Sequence, residues 1–356
     1  MGNENKERKE TRTEIARLGE FGLIRELTAP FTVRNSGTVM GPGDDAAVLL
    51  PCPACPEYTL LTTDLLLEGI HFDLTYFPLK HLGYKTVVIG CSDIYAMNGT
   101  PRQMTLSLGV SAKFSVEQLQ ELYEGVRAAC DDYGIDLAGG DTSSSLTGLT
   151  LGITVIGSVA REKIVYRNGA KLNDLICITG DLGAAYMGLH LLEREKRALA
   201  GVKDPQPRFS GYEYLLRRQL KPSARREVIE ELDAAGIVPT SMIDLSDGLA
   251  SDLLHICKQS RCGARIYLDR LPIARETYRL AEELHADPVV AALNGGDDHE
   301  LLFTVPLSLQ EQVMRLGGID VIGHITAEET GVALTTPDGS DIPVTAQGHT
   351  GVPKDE

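Results

Sequence analysis

Six acidic clusters, each flanked by Gly, Ser or Thr, recur along the chain. They are Gly43-Asp44-Asp45, Thr62-Thr63-Asp64, Ser92-Asp93, Gly139-Gly140-Asp141-Thr142, Asp244-Leu245-Ser246-Asp247-Gly248 and Gly295-Gly296-Asp297-Asp298. Small residues let backbone approach a ligand closely, and carboxylates beside them bind hard cations. Most clusters follow an apolar run, which places them where strands or helices end. Taken singly, each has an ordinary structural explanation: Asp247 as a helix N-cap, Asp93 on a helix face, Asp44-Asp45 and Asp297-Asp298 in turns, Asp64 closing a strand. Taken together they predict a convergent site. Two carboxylates about 4 Å apart repel by about 4 kcal/mol at an effective dielectric of 20, so protons or divalent metals must offset a cluster of them. Mg2+ suits such a site, because it takes oxygen ligands and shares its sphere with substrate phosphates. Several ions would then neutralise a nucleotide's phosphates and the charge that develops during phosphoryl transfer.

Competing templates are missing. The chain has no G-x-x-x-x-G-K-[ST] and no H-R-D, which excludes a P-loop or a protein-kinase catalytic loop. The segment from Asp244 is no EF-hand loop, since Gly248 is fifth and His255 twelfth. A Gly180-Asp181-Leu182-Gly183 turn ahead of a helix offers an anion site at the helix N-terminus. Basic residues near the clusters are few. Arg167 is either a phosphate contact or a solvated turn residue, and His71, seven residues after Asp64, is either a substrate contact or structural.

The elements that must position these residues alternate along 356 residues, a length that suggests two domains. Strands are predicted at 58–63, 104–110, 149–159, 175–179, 242–244 and 300–305. Helices are predicted at 82–97, from the capping box Ser115/Gln118 to Gly134, from 184, from a cap at Ser223 to Gly236, and at 249–259. Residues 135–138 lead into Gly139, and 201–210 read as a loop. Polar punctuation at 160–171 marks a domain boundary. The expectation is an α+β fold with a frayed N-terminus at 1–18, domains at 19–160 and 161–345, and a tail at 346–356.

Composition narrows the class. The chain is 43% hydrophobic and lacks Trp, so its cores are aliphatic. A net charge of −16 argues against nucleic acid as a partner and requires anionic substrates to bring cations or find a local positive patch. No apolar run is long enough for a membrane span, and the charged N-terminus lacks a signal-peptide core. Seven cysteines fit a reducing compartment, so a cytoplasmic protein is expected. Cys52-Pro-Ala-Cys55 reads as a loop with two thiols. A zinc site there would need a second ligand pair, and Cys257 and Cys262 are far off in sequence.

Seven segments in order carry a family resemblance: GPGDDAAVL, TTDLLLEGIHF, YKTVVIGCSDIYAMNGTPR, LAGGDT, YRNGAKLNDLICITGDLG, MIDLSDGLASDLLHI and GGDDHELLFTV. In this order the chain resembles the thiamine-monophosphate kinase family of the PurM-like (aminoimidazole ribonucleotide synthetase) superfamily. The resemblance implies a two-domain α+β fold, a homodimer paired through its N-terminal domains, and ATP- and Mg2+-dependent phosphorylation of thiamine monophosphate to thiamine diphosphate. By motif it implies Asp45, Thr62, Thr63, Asp64, Asp93, Asp141, Asp244 and Asp247 as metal ligands. It implies Gly140, Asp141, Arg167, Ser246 and Tyr123 at ATP, and His71 and Asp297 at thiamine monophosphate. No catalytic base is implied, because a phosphate oxygen is already ionised near neutral pH. The chain departs from the family pattern in two places. The usual Gly-Gly-Glu-Asp-Tyr-Glu-Leu reads Gly-Gly-Asp297-Asp298-His299-Glu300-Leu, and the tail from Ala346 lacks the family's aromatic. Two alternatives stand beside this reading: another superfamily enzyme using ATP on a different substrate, and a non-catalytic nucleotide- or metal-binding relative. Against particular superfamily members, the first 51 residues carry no cysteine, which selenophosphate synthetase would need, and residues 352–356 lack the C-terminal cysteine of the hydrogenase maturation factor.

Overall fold

Two mixed sheets, one from each half of the chain, form the framework. The structure, a computed structural model, describes residues 18–202 and 206–346. The predicted N-terminus and tail lie outside these residues, except for Leu18 and Ala346. The first sheet contains β1 (Thr38–Met40), β2 (Ala47–Leu49), β3 (Glu57–Leu67), β4 (Thr100–Val110), β5 (Asp136–Ser144) and β6 (Thr150–Ala160), in the order β1-β2-β3-β6-β4-β5. Only β4 and β5 pair in parallel. Helices α1 (Gly19–Thr28), α2 (Leu79–Ala96) and α3 (Val116–Tyr133) belong to this half. The second sheet contains β7 (Leu175–Thr179), β8 (Ser241–Asp244), β9 (Gly263–Tyr267), β10 (Leu301–Val305), β11 (Ile319–Thr326), β12 (Val332–Thr335) and β13 (Asp341–Pro343), in the order β13-β12-β9-β11-β7-β10-β8. With it come α4 (Ala184–Ala198), α5 (Glu213–Leu220), α6 (Arg226–Ala234), α7 (Leu249–Ser260), α8 (Arg275–Leu284), α9 (Pro288–Asn294) and α10 (Gln310–Val313). This is the α+β architecture the sequence predicts.

Burial follows sequence pattern. In β6, Leu151, Ile153, Val155 and Val159 alternate into the core while their neighbours face outward. In β7, β8 and β10 every position is buried, as expected of strands covered on both faces. Helix α2 is buried at fourteen of its eighteen residues, so it is an internal helix wedged between layers. It packs on β3, β6 and α3 and also reaches β8 of the second sheet. That reach lets one helix serve both halves.

Several predicted boundaries hold. Ser115 and Gln118 form the capping box of α3, and Gly134 ends it in the left-handed region at φ 66°. Others move. Strand β3 continues past Asp64, because its ladder with β6 runs unbroken from Glu57↔Ala160 to Leu67↔Thr150. Asp141 likewise lies inside β5, opposite Ser107, rather than at a strand exit. Ser223 is not a helix cap. Helix α6 starts at Arg226 with no side-chain cap, and the nearby Ala224 amide donates instead to the Tyr133 hydroxyl at 2.9 Å.

The α2–α3 crossing depends on small residues. A Cβ at Gly125 would lie 1.8 Å from the Lys80 carbonyl oxygen, and one at Gly83 would lie 2.0 Å from that of Leu122. Backbone cannot yield as a side chain can, so the helices would have to separate. Gly125→Ala is expected to cost roughly 1–3 kcal/mol, read as a lower urea midpoint. An unchanged midpoint would contradict this close crossing.

Candidate carboxylate-rich active site

Carboxylates from both halves meet where α2 passes the end of β8. Oxygens of Asp45, Asp93 and Asp244 lie within 4.8 Å of one another. Asp93 comes from α2, where it is half-buried, Asp244 from the last position of β8, and Asp45 from the loop before β2. The period of two along β3 turns Thr62 and Asp64 the same way and Thr63 the other way. The Thr62 hydroxyl donates to Asp93, and Ser92 Oγ donates to Asp244 Oδ2 at 2.8 Å. Asp64 Oδ2 is buried and has no hydrogen-bond partner among the described residues. Arg167 reaches in from the segment between the sheets. Its Nη2 and Nε donate to Asp45 at 2.7 and 3.1 Å, and its backbone amide donates to Asp44 Oδ2 at 3.1 Å. Arg167 is therefore no solvated turn residue.

The last two motifs meet through strand pairing. β8 and β10 run antiparallel, with Leu301 opposite Asp244, so the loop after β8 lies against the loop before β10. The Asp297 amide donates to the Ser246 carbonyl at 2.8 Å, and the His299 amide to that of Leu245 at 2.9 Å. Gly296 sits at φ 69°, and a Cβ there would stand 2.5 Å from the Ser246 oxygen. Along the motif, side chains part by parity. Asp297 and His299, both at positive φ, face the cluster. There the Lys85 ammonium pairs with Asp297, and His299 Nε2 lies 3.2 Å from Asp297 Oδ1. His299 Nδ1 stands 3.8 Å from Asp244. Asp298 and Glu300 turn away. Asp298 accepts from the Gly183 amide at 2.9 Å, while Glu300 accepts from Thr179 at 2.5 Å and pairs with Arg218 and Arg225.

Burial and crowding raise the carboxyl pKa values of the cluster. Asp45 is pushed up to about 7 by burial, with Asp244 and Asp44 adding to it and Arg167 opposing. Asp64 is pushed up to about 6 by burial and by Asp244. Asp93 is raised well above its ordinary range by burial, then by Asp64, Asp244 and Asp45. Buried Asp252, which accepts from the Gly248 amide, is raised in the same way, with Asp247 and Asp244 contributing. Asp297 moves oppositely: although burial opposes its charge, Lys85 and His299 hold it well below the usual carboxylate range. Burial also opposes the charge on His299, yet Asp244 and Asp297 lift it to about 9.

The remaining sequence candidates occupy other places. The Thr63 hydroxyl donates to the Ile153 carbonyl on the outward side of β3. Gly140 and Asp141 are exposed on β5, at the sheet edge. Tyr123, on α3, is partly buried against the first core. His71 is exposed in the turn after β3, where its Nδ1 accepts from the Leu67 amide at 2.9 Å. Ser246 and Asp247 lie in the loop after β8. Asp247 does not occupy the N-cap position of α7, which falls on Gly248. Cys52 and Cys55 hold their sulfurs 2.7 Å apart in an exposed loop. Sequence reading assigned no site role to Lys85, His299, Ser92 or Asp252. Signals were present for three of them: a lysine in the otherwise apolar Tyr84–Gly90 stretch, a histidine where the family motif has tyrosine, and a serine beside Asp93.

The donor set fits Mg2+. It offers only hard oxygens, three of them converging, and the unpartnered Asp64 oxygen beside them is a polar atom that burial makes costly to leave unmatched.

Comparison with known proteins places the chain in a family. Residues 43–159 match the AIR synthase related protein N-terminal domain, and residues 173–334 match its C-terminal domain. The chain thus belongs to the AIR synthase related family, and within it to the thiamine-monophosphate kinases. The thiamine-monophosphate kinase of Escherichia coli K12 is 35% identical, over 90% of this chain and 91% of its own length. That of Aquifex aeolicus is 32% identical, over 82% and 87%. A solved structure described as AaThiL complexed with AMPPCP and TMP superposes with a TM-score of 0.79 at 30% identity, covering 95% of this chain and 99% of that one. The hydrogenase maturation protein HypE in complex with ATP shares the fold at 19% identity and a TM-score of 0.65. No helix among the described residues is long and apolar enough to cross a membrane.

The raised carboxyl pKa values set the sign of a pH effect. Asp64 and Asp45 keep protons in the folded chain that the unfolded chain releases above about 3.8. The folded state binds more protons through that window, so these groups lower stability as pH rises from about 4 to 7. In EDTA, Asp64→Asn should flatten that decline by roughly 1–3 kcal/mol relative to wild type, and Mg2+ should offset more of it in wild type than in the variant. The check is urea unfolding at several pH values. Parallel curves for both proteins would reject the electrostatic account of Asp64.

Proposed function

We propose that this chain transfers the γ-phosphoryl group of ATP to thiamine monophosphate, giving thiamine diphosphate. The observation that carries the reading is the convergence of Asp45, Asp93 and Asp244 from both halves, with Asp64 in electrostatic reach of Asp93 and Asp244. It is supported by the kinship with thiamine-monophosphate kinases and by the neighbouring structure holding an ATP analogue and TMP. Asp45, Thr62, Thr63, Asp64, Asp93, Asp141, Asp244 and Asp247 would hold Mg2+, with Thr63 able to contribute only its backbone or an outward hydroxyl. Bound Mg2+ would supply charge neutralisation for the transferring phosphoryl group.

The protein's own residues do the positioning. Gly140, Asp141, Ser246, Tyr123 and Arg167 are proposed to contact ATP. Arg167 and Asp45 are bonded to each other here, so ATP binding requires the guanidinium to exchange a carboxylate for a phosphate. Lys85 and His299 hold Asp297 ionised, and Asp297 and His71 are proposed to contact thiamine monophosphate. The attacking atom is a terminal oxygen of the acceptor phosphate, already ionised, which displaces ADP in line. Catalysis then rests on orientation and charge placement, with no proton to abstract.

The shortened Asp297 and the neighbouring His299 favour one competing reading, a relative with another phosphate acceptor. One assay separates them: incubate the protein with ATP, Mg2+ and thiamine monophosphate and resolve thiamine diphosphate by chromatography. Absence of product across metal and substrate concentrations would overturn the proposal. Asp64→Asn should lower kcat at least about 100-fold without loss of thermal stability.

We further propose a homodimer paired through the first sheet, working in a reducing cytoplasm. Strand β5 is exposed at all nine positions, including Leu137, and among the described residues nothing pairs with its outer edge. All seven cysteines are free. Sedimentation equilibrium should give twice the chain mass, and Leu137→Lys should shift it toward the monomer. A monomeric wild type would refute the pairing.

A further inference from the structure

The chain carries sixteen net negative charges, yet beside α5 several cations line one cavity of about 180 Å3. Arg217 and Arg218 come from α5, and Lys221, Ser223 and Arg225 from the segment that follows; Asp181, from the turn after β7, also lines it. Two of these cations have carboxylate partners. Arg218 Nη2 lies 2.9 Å from Glu300 Oε1, and Arg225 pairs with the same carboxylate. The other two do not. Arg217 lies over the Tyr214 ring at 5.7 Å and Lys221 over the Tyr84 ring at 4.3 Å, and neither pairs with a carboxylate among the described residues.

Two buried polar atoms of the wall also lack hydrogen-bond partners among the described residues: Arg218 Nε, a donor, and Asp181 Oδ1, an acceptor. Arg218 is only 8% exposed, so water does not readily satisfy it. Asp181 is tied through its other oxygen to the Tyr214 hydroxyl.

We propose that this cavity is a second phosphate-binding site, separate from the carboxylate cluster, which takes inorganic phosphate or the phosphate of a monoester. Hydrogen phosphate offers acceptor oxygens to Arg217, Arg218, Lys221 and Ser223, and a hydroxyl to Asp181. Planar guanidinium groups suit such an anion. At about 180 Å3, the cavity has room for a phosphate group. The site also borders the acceptor side of the cleft. Gln219, next to Arg218 on α5, accepts from Lys85 Nζ at 3.0 Å, and Lys85 holds Asp297. An occupant therefore sits one residue from the contact that fixes Asp297.

The test is calorimetric titration of the full chain with inorganic phosphate in EDTA, where the metal-free carboxylate cluster repels anions. Wild type should bind one equivalent saturably, and Asp64→Asn should bind it equally. The Arg217→Ala/Lys221→Ala variant should bind at least about tenfold more weakly. Both residues are exposed, so folding should be retained, with circular dichroism as the control. A parallel titration with glycerol 3-phosphate distinguishes a monoester occupant, which binds more tightly than phosphate, from free phosphate. No saturable binding, or equal affinity in the double variant, would overturn the proposal. Neither outcome depends on the kinase reading, which is tested by product formation.

Discussion

Mutual repulsion among buried carboxylates is the constraint around which this molecule is arranged. Asp45, Asp93 and Asp244 converge to within 4.8 Å, with Asp64 close enough to raise the charging cost of Asp93. Burial alone would favour protonation, and each neighbour adds to that cost. The fold offsets part of it with Arg167 on Asp45, Thr62 on Asp93 and Ser92 on Asp244. Asp64 Oδ2 has no hydrogen-bond partner among the described residues, so that carboxylate lacks the hydrogen bonds its neighbours receive.

Helix α2 makes the arrangement possible. It is buried on nearly all sides and touches both sheets, so its residues can address both halves of the site. Ser92 and Asp93 serve the carboxylate cluster, while Lys85, two turns earlier, serves Asp297 and the Gln219 carbonyl. The glycines at its crossing with α3 draw the two helices together. On the far side of Asp297, parity along the chain separates the site from a second network, in which Asp298 and Glu300 hold Gly183, Thr179, Arg218 and Arg225. One six-residue motif thus lines the cleft and braces the second sheet.

Much of the local structure was legible before any coordinates. The capping box at Ser115, the glycine stop at Gly134 and strand Leu175–Thr179 depend on nearest neighbours and on apolar periodicity, which a sequence displays directly. The misread elements share a cause. Asp64 and Asp141 looked like strand exits because polar residues usually end strands. The long partners β6 and β4 instead carry the ladder past them. Ser223 looked like a cap, but a hydroxyl from α3 satisfies the nearby backbone amide instead. Each case turns on a partner far away in the chain.

The sequence by itself determined the kind of chemistry: oxygen ligands in small-residue settings, no P-loop, and motifs in an order that belongs to one family. Residue type and local spacing carry that information, because donor hardness and backbone access are properties of a few adjacent residues. Only the tertiary structure decided which carboxylates share one volume, that Arg167 neutralises Asp45, and that Lys85 and His299 keep Asp297 ionised. Those facts depend on burial and on distances between residues up to 212 positions apart, set by how α2 packs between the two sheets. The clustered cations beside α5 belong to the same category. In the sequence they are four basic residues in a chain rich in acids, and only the fold brings them, with Asp181, to line one cavity.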